Sequence, residues 1–175
     1  PTNPYITGNP VGDSSAFVGR TDVMREVLHV LKHPEDNAIV LFGQRRIGKT
    51  SVLHQLEVKL PTEGPYYPCF FDLLDKSQWP LEQVLRELAK TISDASQQQT
   101  PDLGSNPETT FHQVWLPKLL DQLPANKVLV LLFDEFDVLD EPENETVQPA
   151  SAVFFPYLRD LLSIDHQRLN FVFVI

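Results

Sequence analysis

The sequence predicts an α/β fold of three layers, a parallel sheet covered by helices on both faces. Three observations lead there. Short runs rich in β-branched and aromatic residues recur at Ala38–Phe42, Tyr66–Leu73, Lys127–Phe133 and Asn170–Ile175. Segments with apolar residues at helical spacing separate them. The resulting order, β-α-β-α-α-β-α-β, calls for right-handed crossovers and hence parallel strands buried on both sides.

The elements follow in turn. Residues 1–16 are rich in Pro, Gly, Asn and Ser and read as a linker or extended arm, with a domain over 17–175. Thr21 and Asp22 offer caps for a helix to about Lys32, with Val23, Met24, Val27, Leu28 and Leu31 on its apolar face. Ala38–Phe42 is a buried strand. Lys49–Leu60 returns to helical spacing through Val52, Leu53, Leu56 and Leu60, and Pro61 is expected to stop it. Pro68 within Tyr66–Leu73 argues for an edge strand or a late start. Pro80 opens a helix to about Ser93, and a polar loop covers Gln97–Pro107. The next helix reaches about Leu123, with a kink expected at Pro117. Lys127–Phe133 is the most apolar strand and Asp134 marks its end. An acidic loop, Asp140–Ala150, precedes a helix over Ser151–Leu162 and the last strand.

At 175 residues and 42% apolar composition, the chain can build one domain with a substantial core. Its net charge of −10 disfavours binding to a phosphate backbone through the overall field, so nucleic acid is not an expected partner of this segment. The longest apolar run, Val128–Phe133, is far too short to span a bilayer. Cys69 is the one cysteine and lies in an apolar stretch, so it reads as a small buried hydrophobe in a protein suited to a reducing cytoplasm. The five histidines show no ligand spacing, and Trp79 and Trp115 read as core. The lack of an initiator Met, and a strand at the very end, suggest an internal piece of a longer protein with its C-terminal part truncated.

One loop carries chemistry. Gly43-Gln44-Arg45-Arg46-Ile47-Gly48-Lys49-Thr50 fits G-x-x-x-x-G-K-[ST] in full. Four fixed positions match by chance in roughly one such chain per hundred, and here the motif also follows a strand and opens a helix. The glycines let main-chain N–H groups approach phosphate oxygens, and the helix dipole points at the same anion. Lys49 is expected to reach the β- and γ-phosphates and Thr50 to bind Mg²⁺. Ser51 either helps hold a phosphate or caps the helix. Arg45 and Arg46 either touch phosphate or a neighbouring subunit, or are solvated at the loop tip.

The strand Val128–Phe133 ends in Asp134-Glu135. Strand C-termini line the ligand crevice of a parallel sheet. Asp134 is therefore expected to hold Mg²⁺, directly or through water, and Glu135 to orient the attacking water. Asp137 is a candidate supporting acid, while Asp140, Glu141, Glu143 and Glu145 read as a solvated surface. The only Asn-Lys pair, Asn126-Lys127, is followed by Val128 and Leu129, which leaves guanine recognition unsupported and favours ATP and ADP.

Phe17-Val18-Gly19-Arg20, the loop Gly43–Thr50 with Ser51, and Asp134-Glu135-Phe136-Asp137 together resemble the STAND signalling ATPases and related AAA-type P-loop ATPases. The resemblance implies a three-layer α/β/α P-loop NTPase core over 17–175. It implies adenine contacts at Phe17 and Val18, for which ordinary packing is the alternative. It implies an ATP-controlled switch that homo-oligomerises in the full-length protein and works with effector and sensor domains outside this segment. It also implies that the last strand lies between the phosphate-loop strand and the Asp134 strand. Slow hydrolysis is expected of the whole protein and weak or absent turnover of this segment alone. The alternatives are a DNA-associated ATPase of the origin-recognition or loader type, and a nucleotide-binding interaction module without turnover.

Overall fold

The computed structural model describes residues 20–33, 35–41, 48–136 and 151–175. The predicted arm at 1–16, Phe17, Val18, Gly43, Gln44, Arg45, Arg46, Ile47, Asp137 and the acidic loop lie outside the described residues.

Four strands form one parallel sheet: β1 (Ala38–Leu41), β2 (Tyr66–Asp72), β3 (Val128–Asp134) and β4 (Leu169–Val174), in the spatial order β1-β4-β3-β2. The last strand therefore sits between β1 and β3, as the resemblance implied. Pro68 lies in β2, at a sheet edge, where its missing N–H breaks no ladder.

Strand side chains alternate between the two faces. On one face Ile39, Leu41, Val130, Leu132, Val172 and Val174 pack against α1 (Arg20–Leu31) and α2 (Lys49–Glu63). On the other, Phe71, Leu131, Phe133, Phe171 and Phe173 pack against α3 (Leu81–Ser96), α5 (Leu116–Gln122) and α6 (Ser151–Leu162). Helices cover both faces of the sheet, which makes the fold a three-layer α/β/α arrangement.

Several polar contacts fix the layers. The buried Asn37 donates its amide N–H to the Leu162 carbonyl at 2.7 Å, tying the end of α6 to the start of β1. Arg168 donates to the Leu123, Pro124 and Lys127 carbonyls at 3.1, 3.1 and 3.4 Å, holding the entry to β3 against the entry to β4. The Tyr157 hydroxyl donates to the Glu108 carbonyl at 2.7 Å, joining α6 to the short α4 (Pro107–Thr109).

The prolines behave differently from expectation. Pro61 does not stop α2, which continues to Glu63. It lies in the last, exposed turn, where few hydrogen bonds remain to be lost. The irregularity expected at Pro117 occurs just before it, as a π-helix over Thr110–Trp115, with the Leu116 N–H donating to the Phe111 carbonyl five residues back. The wider turn accommodates a residue that lacks an N–H and crowds the preceding carbonyl. α3 runs three residues past the expected Ser93 and ends on Gln97 in the left-handed conformation (φ 56°). Trp79 and Trp115 are half-buried at the margin of the core rather than inside it.

Candidate functional site

All four strands point their C-terminal ends the same way, so the loops after β1 and β3 open on one edge of the sheet. Strand register makes this edge a row. Leu41 pairs with Val174, Phe133 with Phe173, and Asp72 with Asp134. Successive strands lie about 4.8 Å apart, so the ends of β1 and β3 stand roughly 10 Å apart with β4 between them.

The start of α2 faces this edge. Gly48 has φ 79° and ψ 29°, a left-handed conformation that strains any residue bearing a Cβ. It turns the chain into α2 immediately before Lys49. Among the described residues no side chain caps α2, and its first turn holds no acid. The dipole and the first-turn amides of such a helix start favour an anion. The Lys49 ammonium donates to the Ile175 main-chain oxygen, just past β4, at 2.7 Å. The side chain thus crosses to the strand end that lies between β1 and Asp134. Thr50 is exposed at the same helix start.

Asp134 is 2% exposed and continues the Val130, Leu132 face, the face of α2. Its Oδ1 accepts the Glu135 N–H at 3.0 Å. Among the described residues no cation pairs with it, an uncommon state for a carboxylate so removed from water. Glu135 has φ 53°, so the chain turns sharply at the carboxylate pair. Backbone strain of this kind persists where the surroundings impose it, frequently at functional sites.

Asp134, Thr50 and the main-chain groups beside them are hard oxygen donors, which fit Mg²⁺. Among the described residues no three His, Cys, Asp or Glu side chains gather into a metal cage. An ion here would share its shell with phosphate oxygens and water, the usual habit of Mg²⁺. Ser51 lies one residue further along α2, exposed like Thr50.

Sequence reasoning passed over Asp72. The signal was present: β2, like β3, is an apolar strand that ends in an aspartate. Asp72 shares the row and the sheet face of Asp134.

No family model matches the sequence, and no curated protein matches it. Solved structures do match. A chain in a structure of Drosophila ORC bound to DNA superposes on 91% of this chain with a TM-score of 0.62 at 15% identity. The match spans 38% of that chain, well under two thirds of its length. At this identity the likeness shows the fold alone, and it agrees with the layer order and strand topology described above. Among the described residues no helix is long and apolar enough to cross a membrane.

Proposed function

We propose that the chain is the Mg²⁺-dependent ATP-binding core of a P-loop ATPase, with ATP and ADP as its nucleotides. The observation that supports this reading is the Lys49 ammonium donating to the end of β4, the strand beside the one that ends in the buried Asp134. In this reading the amides of Gly43–Ser51 and the Lys49 ammonium hold the phosphates. Phe17 and Val18 contact the adenine. Thr50 and Asp134 hold Mg²⁺, which when bound offsets charge on the phosphate oxygens. Glu135 accepts a hydrogen bond from the attacking water and orients it in line with the γ-phosphorus. A bond forms from the water oxygen to phosphorus, the bridging bond to the β-phosphate breaks with its electron pair leaving on ADP, and the water's proton passes to Glu135 and on to solvent.

Binding of a ribose-labelled fluorescent ATP tests the reading. Lys49→Ala is expected to weaken affinity by about tenfold to a hundredfold, from the loss of a charge-assisted contact. Glu135→Gln is expected to keep affinity while any hydrolysis falls to background. Equal behaviour of wild type, Lys49→Ala and Glu135→Gln would remove the assignment.

The work this core drives has two readings. The signalling-switch reading follows from the sequence resemblance and predicts ATP-dependent self-association of the full-length protein. The DNA-associated reading is favoured by the fold likeness to ORC, whose structure was determined bound to DNA. Net charge of −10 weighs against it for this segment. ATP-dependent retention of duplex DNA at 150 mM salt, compared with sedimentation of the protein with and without ATP, separates the two.

A further inference from the structure

We propose that Asp72 is a second carboxylate of the metal shell, forming with Thr50 and Asp134 an oxygen donor set that spans two strands and the start of α2. The proposal rests on the nucleotide reading above and adds a residue that the phosphate-loop motif does not contain.

Two independent registers bring these residues together. The first is in the sheet. Asp72 and Asp134 are direct partners on parallel strands, so their Cα atoms lie about 4.8 Å apart. Alternation puts Asp72 on the side of Phe70, and Asp134 on the side of Val130 and Leu132, which is the α2 side for both. Each has one main-chain hydrogen bond, from Leu74 N–H to Asp72 Oδ1 at 2.9 Å and from Glu135 N–H to Asp134 Oδ1 at 3.0 Å. Among the described residues neither has a cationic partner. Like charges directly opposite on neighbouring strands oppose folding unless a cation offsets them.

The second register is that of α2 on β2. The His54 ring of α2 lies over the Phe70 ring, with centroids 4.4 Å apart. α2 runs back against the strand direction. Thr50 lies four residues before His54, about 6 Å toward the helix start. Asp72 lies two residues after Phe70, about 6.6 Å toward the same end of the sheet. The two displacements match, so the Thr50 hydroxyl comes level with Asp72. Helix packing thus sets Thr50 level with Asp72, and sheet pairing sets Asp72 beside Asp134. A donor set of one hydroxyl and two carboxylates, completed by phosphate oxygens and water, suits Mg²⁺.

Asp72→Asn tests the charge and spares the turn, because the amide oxygen can still accept the Leu74 N–H. Binding of the ribose-labelled ATP is followed while Mg²⁺ is titrated into the full chain, with a parallel series in EDTA. The variant is expected to need about tenfold more Mg²⁺ for half-maximal binding, with unchanged binding in EDTA and, as the opposed charges are relieved, a slightly raised thermal midpoint in EDTA without nucleotide. Asp75→Asn, at an exposed acid three residues on, is expected to titrate like wild type. A wild-type Mg²⁺ titration for Asp72→Asn would overturn the proposal and leave the nucleotide reading standing, and so would an equal loss in EDTA. Wild-type ATP binding that ignores Mg²⁺ would also overturn the proposal, whereas wild-type protein that fails to bind the labelled ATP with or without Mg²⁺ would overturn the nucleotide reading itself.

Discussion

The two faces of the sheet are built from different material. The α1/α2 face is aliphatic, with Ile39, Leu41, Val130, Leu132, Val172 and Val174 against Val52, Leu53, Leu56 and Leu60. The opposite face is aromatic. Phe133, itself fully buried, has the rings of Phe71, Phe136, Phe154, Phe171 and Phe173 within 6.4 Å, centroid to centroid. Large rings bury more area per residue and add edge and stacking contacts, so the aromatic face is the stronger anchor. The aliphatic face carries the helix whose start meets the phosphate-loop motif. The division separates what holds the sheet together from what faces the candidate ligand.

Adjacent residues of β4 expose that difference directly. Phe171 and Val172 are both fully buried but point to opposite faces. Phe171→Ala is expected to lower unfolding free energy by about 4 kcal/mol in urea titration, from lost transfer energy plus a cavity. Val172→Ala, two methyl groups smaller, is expected to cost about 2 kcal/mol. Equal costs would break the contrast between the faces.

A smaller effect, of opposite sign, is expected at the site. Glu135 holds φ 53°, which glycine adopts without strain. Glu135→Gly should raise stability by roughly 0.5 kcal/mol, because relief of strain is partly offset by greater unfolded-state entropy. A loss of stability would mean that the Glu135 side chain contributes more to the fold than its backbone costs.

The mildest probe concerns Cys69, enclosed on the aromatic face. Burial first, then the charges of Glu57 and Asp94, push its thiol up to about 12. The folded protein should resist alkylation by iodoacetamide at pH 8, and urea should make it react fully. The unfolded thiol releases its proton near pH 9 and the folded one only near 12. The unfolded state therefore binds fewer protons in that window, and stability should fall as pH rises from about 9 to about 12. Rapid labelling without urea would show that this face opens.

Much of the architecture could be read from periodicity. Each strand expected from its apolar run is present, and β3 ends at Asp134 as the carboxylate after Phe133 indicated. The prolines misled because their effect depends on position in the helix. Pro61 falls where the ladder of α2 is already ending, and a π-helix absorbs Pro117. Lys49 and Thr50 stood out because the motif spacing is local in sequence, and Asp134 because it ends the most apolar strand. Asp72 did not, because its significance is a partner sixty-odd residues away, and pairing register is a property of the sheet rather than of either strand.

The central place of β4 sets the order in which the molecule can be made. β1 and β3 leave the ribosome with no ladder to join them, and Ala38 waits for Phe171, which is translated after both. Until then β1 and one side of β3 present bare backbone that invites mispairing. Pairing so distant in sequence also closes slowly. Nascent chains should therefore depend on shielding by chaperones until β4 emerges, and a stalled, unfinished chain would carry β1 and β3 without the strand that joins them.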